Sequence, residues 1–145
     1  MKTLIIYDSN YGNTKKIAEI IAKELSAKAI SVLDFKQSDL EGIDLLICGS
    51  PINGWKPSEK MQDFLANLKE SQLKGIKATS FDTRVKLFIH GDAAKKIAKK
   101  LEEAGAEIII EPEVFYVKGK EGPLFDGETE KATEWAKEIK EKNGS

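Results

Sequence analysis

The stretch TLIIYDSNYGNTKKIAEII, residues 3–21, decides the fold. Residues 3–7 form a compact apolar run without polar alternation, which is typical of a β-strand buried on both faces. A polar turn follows at residues 8–13, and Ile17, Ile20 and Ile21 then recur at helical spacing. The segment therefore predicts a strand, a turn and a helix, which is the repeating unit of a parallel α/β sheet.

The same unit recurs along the rest of the chain. Further strands are predicted at residues 29–33, 43–49, 76–81 and 107–117, with Pro51 ending the second of these and Pro112 interrupting the last. Residues 85–89 are also apolar, but too few residues separate them from the preceding strand for a parallel crossover. We therefore interpret them as a packed loop.

Three later groups of apolar residues predict helices, with Ser58 and Asp92 as N-caps of the first two and Gly105 ending the second. These groups are Met61, Phe64, Leu65 and Leu68; Ala94, Ile97, Ala98 and Leu101; and Ala132, Trp135, Ala136 and Ile139. Five strands that alternate with helices predict a doubly wound parallel sheet with helices on both faces. No linker or repeat divides residues 1–145, so we expect one domain.

The composition excludes several classes of protein. The chain has 145 residues, of which 41% are hydrophobic and 32% charged, and its net charge is −1. This balance argues against nucleic-acid binding, and the lysines of AKKIAKKLEE, residues 94–103, are interpreted as a solvated helix face. No apolar run is long enough for membrane insertion. The single cysteine, Cys48, is predicted to be a buried strand residue, and with no visible signal peptide a cytoplasmic location is expected.

The loop of residues 8–14, directly after the first strand, has the chemistry of a phosphate site. In a doubly wound sheet, ligands bind at the carboxyl ends of the strands, where a helix N-terminus offers backbone N–H groups. Gly12 lets the backbone close on an anion, and Ser9 and Thr14 supply hydroxyl donors. The loop matches neither the Walker A motif nor GxGxxG, so an ATPase or an NAD-binding protein has little support. An ordinary N-capped helix remains the alternative.

Two further loops follow strands at the same edge of the predicted sheet. Residues 50–57 place Trp55 among Asn, Gly and Pro, which favours a contact with a planar ring. The alternative is that Trp55 only fills a gap between loop and helix. Residues 81–84 form the third loop, in which Arg84 either faces a ligand or caps the strand at the surface.

These segments resemble the flavodoxin family. SNYGNT, residues 9–14, is similar to the loop that holds the phosphate of FMN, and GSPINGWKPSEKMQDFL, residues 49–65, is similar to the loop and helix after the third flavodoxin strand. SFDTR, residues 80–84, and EGPLFDGETEKATEWAK, residues 121–137, are similar to stretches of small flavodoxin-like proteins. The resemblance implies the flavodoxin-like strand order 2-1-3-4-5 and FMN as cofactor.

The resemblance also implies which residues bind the cofactor, with no metal ligand and no catalytic residue. The predicted phosphate contacts are Ser9, Asn10, Tyr11, Gly12, Asn13 and Thr14, and the predicted ring contacts are Ser50, Pro51, Ile52, Asn53, Gly54 and Trp55 on one side and Phe81, Asp82, Thr83 and Arg84 on the other. Three features depart from the family pattern: Tyr11 replaces a usual threonine, the third loop has no tyrosine, and the chain is nearly neutral.

The resemblance implies an electron carrier that shuttles electrons between redox partner proteins through the flavin semiquinone and hydroquinone. No nucleophile–base pair or carboxylate dyad stands out in the sequence, and His90, the only histidine, is interpreted as a surface residue. One alternative is an FMN-dependent oxidoreductase that acts on a quinone or a porphyrinogen. The other is a flavodoxin-fold module that has lost flavin binding.

Overall fold

The computed structural model describes residues 2–86 and 91–143. The strands are β1 (Thr3–Tyr7), β2 (Lys28–Ser31), β3 (Leu45–Asn53), β4 (Lys56–Pro57), β5 (Lys77–Val85), β6 (Glu107–Ile108) and β7 (Glu113–Val117). The α-helices are α1 (Asn13–Leu25), α2 (Glu59–Ala66), α3 (Ala93–Glu103) and α4 (Glu128–Lys142), and 3-10 turns cover Val32–Asp34 and Gln37–Leu40.

The sheet has the predicted order. β1 lies between β2 and β3, β5 pairs with the other side of β3, and β6 and β7 share the position beyond β5. All these pairs are parallel, and only β4 is antiparallel, to the end of β3. Because β5 is the fourth long strand and Pro112 separates β6 from β7, this is the order 2-1-3-4-5 that the resemblance implied.

Helices cover both faces of the sheet, as predicted. Ile5 of β1 packs with α1 and α4 on one face, whereas its neighbour Ile6 packs with α2 and α3 on the other. Successive strand residues point to opposite faces, so β1, which is covered on both faces, buries apolar side chains on each of them. Burial of each such side chain contributes about 1.5–3 kcal/mol, which explains why residues 3–7 lack polar alternation.

The predicted N-caps and the burial of Cys48 are confirmed, whereas α2 ends at Ala66, before the predicted Leu68. The Ser58 hydroxyl accepts a hydrogen bond from the Met61 amide, and the Asp92 carboxylate accepts one from the Lys95 amide. Cys48 is fully buried in β3, and burial raises the pKa of its thiol, so the reactive thiolate is disfavoured. Among the described residues, no helix is both long and apolar enough to cross a membrane.

The prediction that Pro51 ends the third strand is wrong, because β3 continues to Asn53. The carbonyl of Gly49 accepts a hydrogen bond from the Asp8 amide on the β1 side, and alternate residues of a strand face the same neighbour. The nitrogen of Pro51 therefore also faces the β1 side, beyond Tyr7, where β1 has ended. The missing N–H removes no ladder bond, and Pro51 pairs in register with Thr83.

The fourth predicted strand was placed too short. β5 extends to Val85, so residues 81–84 are strand and not loop, because both neighbours, β3 and β7, continue alongside them. The loop predicted for residues 85–89 is thus wrong at Val85, and residues 87–89 and His90 lie outside the described residues. The second strand, predicted at residues 29–33, is observed at Lys28–Ser31, where a 3-10 turn capped by Ser31 begins.

Gly49 is required by the ring of Phe81, which lies beside it in the register of β3 and β5. A Cβ atom at Gly49 would lie 2.1 Å from Cζ of Phe81. We expect Gly49→Ala to lower the free energy of unfolding by about 3 kcal/mol, because neither neighbouring strand can move away. Urea denaturation measures this change.

Phe81→Leu provides the matched background. Removal of the ring should relieve much of the overlap, so Gly49→Ala should cost clearly less in Phe81→Leu than in the wild-type protein. Equal costs in the two backgrounds would show that the contact with Phe81 does not exclude a side chain at residue 49.

Candidate functional site

The loop after β1 is closed by the hydroxyl of Ser9. Its Oγ accepts hydrogen bonds from the amides of Gly12, at 3.0 Å, and Lys15, at 3.3 Å. Gly12 has φ +91°, a left-handed conformation that glycine adopts without steric cost, and α1 begins at the next residue. Ser9 thus caps the helix from outside it and curls residues 9–12 over its N-terminus.

Four backbone amides of this loop have no hydrogen-bond partner within the described part of the chain. They belong to Asn10, Tyr11, Asn13 and Thr14. The first N–H groups of a helix cannot be satisfied inside it, and the helix dipole adds positive potential at the same place. The first turn of α1 contains no acidic residue. This loop therefore presents a set of donors suited to an anion.

A buried pair of hydroxyl groups joins the loop to the centre of the sheet. Oγ1 of Thr14 lies 2.8 Å from Oγ1 of Thr83, and both residues are buried. Beside this pair, a cleft opens along the carboxyl ends of β1, β3, β5 and β7. It is lined by Ser9, Asn10, Tyr11, Asn13, Thr14, Pro51, Ile52, Asn53, Thr83, Arg84, Val85, Val117 and Lys120.

Lys120 reaches the cleft from a turn that the sequence prediction did not include in the site. The amide of Lys118 donates to the carbonyl of Pro123, and that of Gly122 to the carbonyl of Gly119. Gly122 lies against Asn13, since a Cβ at residue 122 would come within 2.6 Å of the Asn13 side chain. A glycine-rich turn after a strand at the carboxyl edge is the sequence signal that could have identified this residue.

A hairpin, also not predicted, holds the loop after β3. Asn53 pairs with Lys56, and the two residues between them have positive φ, +57° at Gly54 and +75° at Trp55. Positive φ at both central residues is typical of a type I′ turn. Lys96 donates to the carbonyl of Trp55, and a side chain at Gly91 would overlap the Trp55 backbone. The tryptophan is therefore held at a strained position with its side chain half exposed.

An ion pair is buried on the floor of the cleft. Nε and Nη2 of Arg84 donate to the two carboxylate oxygens of Asp82, at 2.9 and 2.6 Å, and Nη2 lies 3.4 Å from Asp92. Asp82 also accepts a hydrogen bond from the amide of Ala94, in the first turn of α3. The pair thus ties the end of β5 to the start of α3.

Burial raises the pKa of the Asp82 carboxyl, and the hydrogen bonds from Arg84 and Ala94 oppose that rise. Burial lowers the pKa of Arg84, but the hydrogen bond and charge of Asp82 outweigh it, so the pKa of Arg84 lies above its ordinary value. Arg84 therefore remains charged at the cleft.

The structure brings ten of the sixteen predicted residues to one cleft. They are Ser9, Asn10, Tyr11, Asn13, Thr14, Pro51, Ile52, Asn53, Thr83 and Arg84. The other six do not line it. Gly12, Gly54 and Trp55 shape the two loops, and the hydroxyl of Ser50 accepts from the Ser58 amide at the start of α2.

Phe81 and Asp82 were predicted to lie in a loop beside the ligand, but both lie within β5. Phe81 is fully buried against Phe115 and Trp135, and Asp82 points to α3. The reason is that β5 continues through both residues, which places alternate side chains on the two covered faces of the sheet.

The residues that line the cleft fit a ligand with an anionic end and a flat apolar part. Hydroxyl groups, Lys120 and the residues with free amides line the cleft together with the apolar side chains of Pro51, Ile52, Val85 and Val117. A phosphate group would satisfy the donors, and these apolar side chains would contact a planar ring. Fold and site together define a doubly wound α/β protein with a loop of free backbone donors at the switch point of its sheet.

Comparison with known proteins names the family. The sequence model of the flavodoxin family matches residues 5–135. A flavodoxin of Maridesulfovibrio salexigens is 33% identical over 120 aligned positions, which cover 74% of this chain and 81% of that protein. The chain therefore belongs to the flavodoxin family, which implies a flavin cofactor, usually FMN.

Solved structures agree on the fold. The oxidised flavodoxin 2 of Bacillus cereus superposes with a TM-score of 0.83 at 26% identity, covering 98% of this chain and 99% of that one. A flavodoxin from the domain Archaea also gives a TM-score of 0.83, at 23% identity, with both chains fully covered.

Removal of the Arg84 charge tests the buried pair. We expect Arg84→Met to lower the free energy of unfolding by about 3–5 kcal/mol near neutral pH, because Asp82 is then a buried charge without its partner. Without Arg84, the pKa of Asp82 in the folded variant should lie above its pKa in the unfolded chain. The free energy of unfolding of the variant should therefore fall as pH rises from the unfolded-chain pKa to the folded-state pKa. Its deficit relative to wild type should therefore shrink as pH falls toward the ordinary Asp pKa of about 3.9.

Urea denaturation over this pH range measures the effect, and Asp82→Asn combined with Arg84→Met is the control. With no titratable group at residue 82, its deficit should depend much less on pH. A deficit of Arg84→Met that stays constant with pH would contradict this account of Asp82.

Proposed function

We propose that this protein binds FMN and shuttles electrons between redox partner proteins, with the flavin passing through its semiquinone and hydroquinone forms. The family and the fold support an FMN-binding electron-transfer flavoprotein. The observation that carries the proposal is the set of four free amides, those of Asn10, Tyr11, Asn13 and Thr14, at a cleft that residues of β3, β5 and β7 also line.

In this proposal the phosphate of FMN binds at the N-terminus of α1. The amides of Asn10, Tyr11, Asn13 and Thr14 donate to it, and Ser9, whose Oγ already accepts two amides, directs its own hydrogen toward it. Lys120 supplies a compensating positive charge from the opposite side of the cleft. Hydrogen bonds to a charged group contribute about 1.5–3 kcal/mol, so this set favours a phosphorylated ligand over a neutral one.

The flavin ring is proposed to lie between the loop after β3 and the end of β5. FMN, when bound, supplies the redox chemistry, and the protein supplies binding and tuning. Pro51 and Ile52 exclude water on one side, and Arg84 holds a positive charge near the ring. That charge would favour an electron-rich ligand, whereas Asp82 compensates it within the protein.

Lys120→Ala tests the phosphate end of the cleft. We expect the Kd for FMN to rise about tenfold, which is about 1.4 kcal/mol, with no change for riboflavin, because riboflavin lacks the phosphate. Titration calorimetry with both flavins measures this.

Lys118→Ala is the matched control, because Lys118 is an exposed lysine of the same turn that does not line the cleft. Its affinity for FMN should remain within twofold of wild type. Equal weakening of riboflavin and FMN by Lys120→Ala, or an equal effect of Lys118→Ala, would contradict the placement of the phosphate.

Stepwise anaerobic reduction tests electron transfer. With FMN bound, we expect a long-wavelength absorption band to rise and fall as electrons are added one at a time, because a one-electron carrier stabilises the half-reduced flavin. Bound flavin that is reduced by NAD(P)H in one two-electron step would instead support the oxidoreductase. A protein that binds no flavin would contradict the proposed function and leave the fold unchanged.

A further inference from the structure

Helix α3 concentrates four exposed lysines, of which two lie in ion pairs: Lys95 is 4.0 Å from Asp92 and Lys100 is 3.6 Å from Glu103. Lys96 and Lys99 have no acidic partner within the described part of the chain. Lys95 and Lys99, and likewise Lys96 and Lys100, are four residues apart, where like charges repel each other. The first turn of α3 has no acidic residue, so the lysines there also oppose the helix dipole. Such an arrangement costs stability in the isolated protein.

Helix α4 provides an internal comparison. Its first turn contains Glu128 and Glu130, and Lys140 and Lys142 lie in its last turn, which agrees with the helix dipole. Lys137 also pairs with Glu134 at 3.7 Å. The lysines of α3 are exposed, in agreement with the predicted solvated helix face, but unlike α4 this helix concentrates positive charge in its first two turns.

This positive charge lies next to an exposed aromatic side chain at the edge of the cleft. Lys56 and the α3 residues Lys96 and Lys99 line one groove, and Lys96 donates to the carbonyl of Trp55. Trp55 is 53% exposed, and its backbone has a positive φ. We define the Trp55–lysine surface as Trp55, Lys56, Lys95, Lys96 and Lys99.

The surface adjoins the proposed electron-transfer site. Trp55 is separated by one residue from Asn53, which lines the cleft together with Ile52. The start of α3 is tied to Asp82, which forms an ion pair with the cleft residue Arg84. A redox partner must approach the mouth of this cleft, and exposed Trp55 and the lysines next to it lie beside that mouth. Asp63 and Glu103 also line the groove, but farther along α2 and α3.

We propose that the Trp55–lysine surface docks a redox partner protein whose own docking face is acidic. This inference rests on the proposed electron-transfer function. Opposite charge steers encounter and orients the partner, and an exposed aromatic ring supplies contact area at the centre of a small interface. Electron-transfer complexes bury less than about 1,200 Å² of surface, so such a partner needs only a small docking surface. The net charge of −1 disfavours a long polyanion, which would also meet the acidic remainder of the chain.

The test maps binding by amide chemical shifts at low and high salt. The probes are an acidic [2Fe–2S] ferredoxin and the basic mitochondrial cytochrome c, each added to the full chain with and without FMN. We expect ferredoxin to shift amides of Trp55, Lys56 and the first two turns of α3, with an affinity that falls as salt rises. Cytochrome c should bind at least tenfold more weakly at this surface.

Charge reversal on two helices provides matched variants. Lys95→Glu with Lys99→Glu should weaken ferredoxin binding at least tenfold, and Lys137→Glu with Lys140→Glu on α4 should leave it within twofold. Both variants should bind FMN as the wild type does, since none of these lysines lines the cleft.

Several outcomes would overturn the proposal. They are ferredoxin shifts located elsewhere, an equal loss from the α4 variant, or equal binding of cytochrome c. Tighter binding of duplex DNA or of phosphatidylserine vesicles at the same lysines would also overturn it, because the surface would then serve a nucleic acid or a membrane and not an acidic protein. Absence of FMN binding in the wild-type protein would instead contradict the proposed function. This result is distinguishable from failure of the docking proposal, because the chemical shifts with ferredoxin are also measured without FMN.

Discussion

The parallel register of β1, β3 and β5 is the constraint on which the rest of the structure depends. Both faces of these strands are buried, so β1 and most of β3 are apolar. In the middle of β5, the buried hydroxyl groups of Thr79 and Ser80 donate to the carbonyls of Ile110 and Ala94. Because the strands are parallel, their carboxyl ends meet at one edge, where Asp8 bonds to Gly49 and Pro51 pairs with Thr83. The cleft exists because the loops leave the sheet together at that edge.

Polar contacts then fix the loops and helices around the cleft. Thr14 and Thr83 join α1 to β5, Asp82 joins β5 to α3, and Ser9 caps α1 from the preceding loop. Each of these contacts is a hydrogen bond or an ion pair. Loss of one partner would leave a polar group inside the protein without a partner, which lowers the free energy of unfolding. The site is thereby preorganised: its free amides remain available because the other polar groups nearby already have partners.

Sequence reasoning succeeded where local rules decide the structure. The apolar run of residues 3–7, the cap at Ser58 and the stripe around Trp135 needed only spacing and burial, and each is confirmed. It failed where a neighbouring strand decides. Pro51 stays within β3 because β1 has already ended, and residues 81–84 stay within β5 because β7 runs beside them.

The candidate site shows the same contrast between features that local sequence decides and features that distant segments decide. Loop chemistry identified residues 9–14, but it could not show that Phe81 points into the core, or that Lys120 comes from a turn packed on Asn13. Both depend on pairings between segments that are far apart in sequence. The lysines of α3 were visible in the sequence, but their position beside Trp55 was not, because lysine spacing alone does not say what lies next to a helix.

Amide proton shifts during titration of the protein with FMN, and separately with riboflavin, test most directly the claim that the free amides hold a phosphate. We expect FMN to move the amides of Asn10, Tyr11, Asn13 and Thr14 strongly downfield, because they form new hydrogen bonds to an anion. Riboflavin should move them little and should mainly affect residues of β3 and β5. If FMN binds while these four amides stay unchanged, the phosphate site lies elsewhere and the central claim is contradicted.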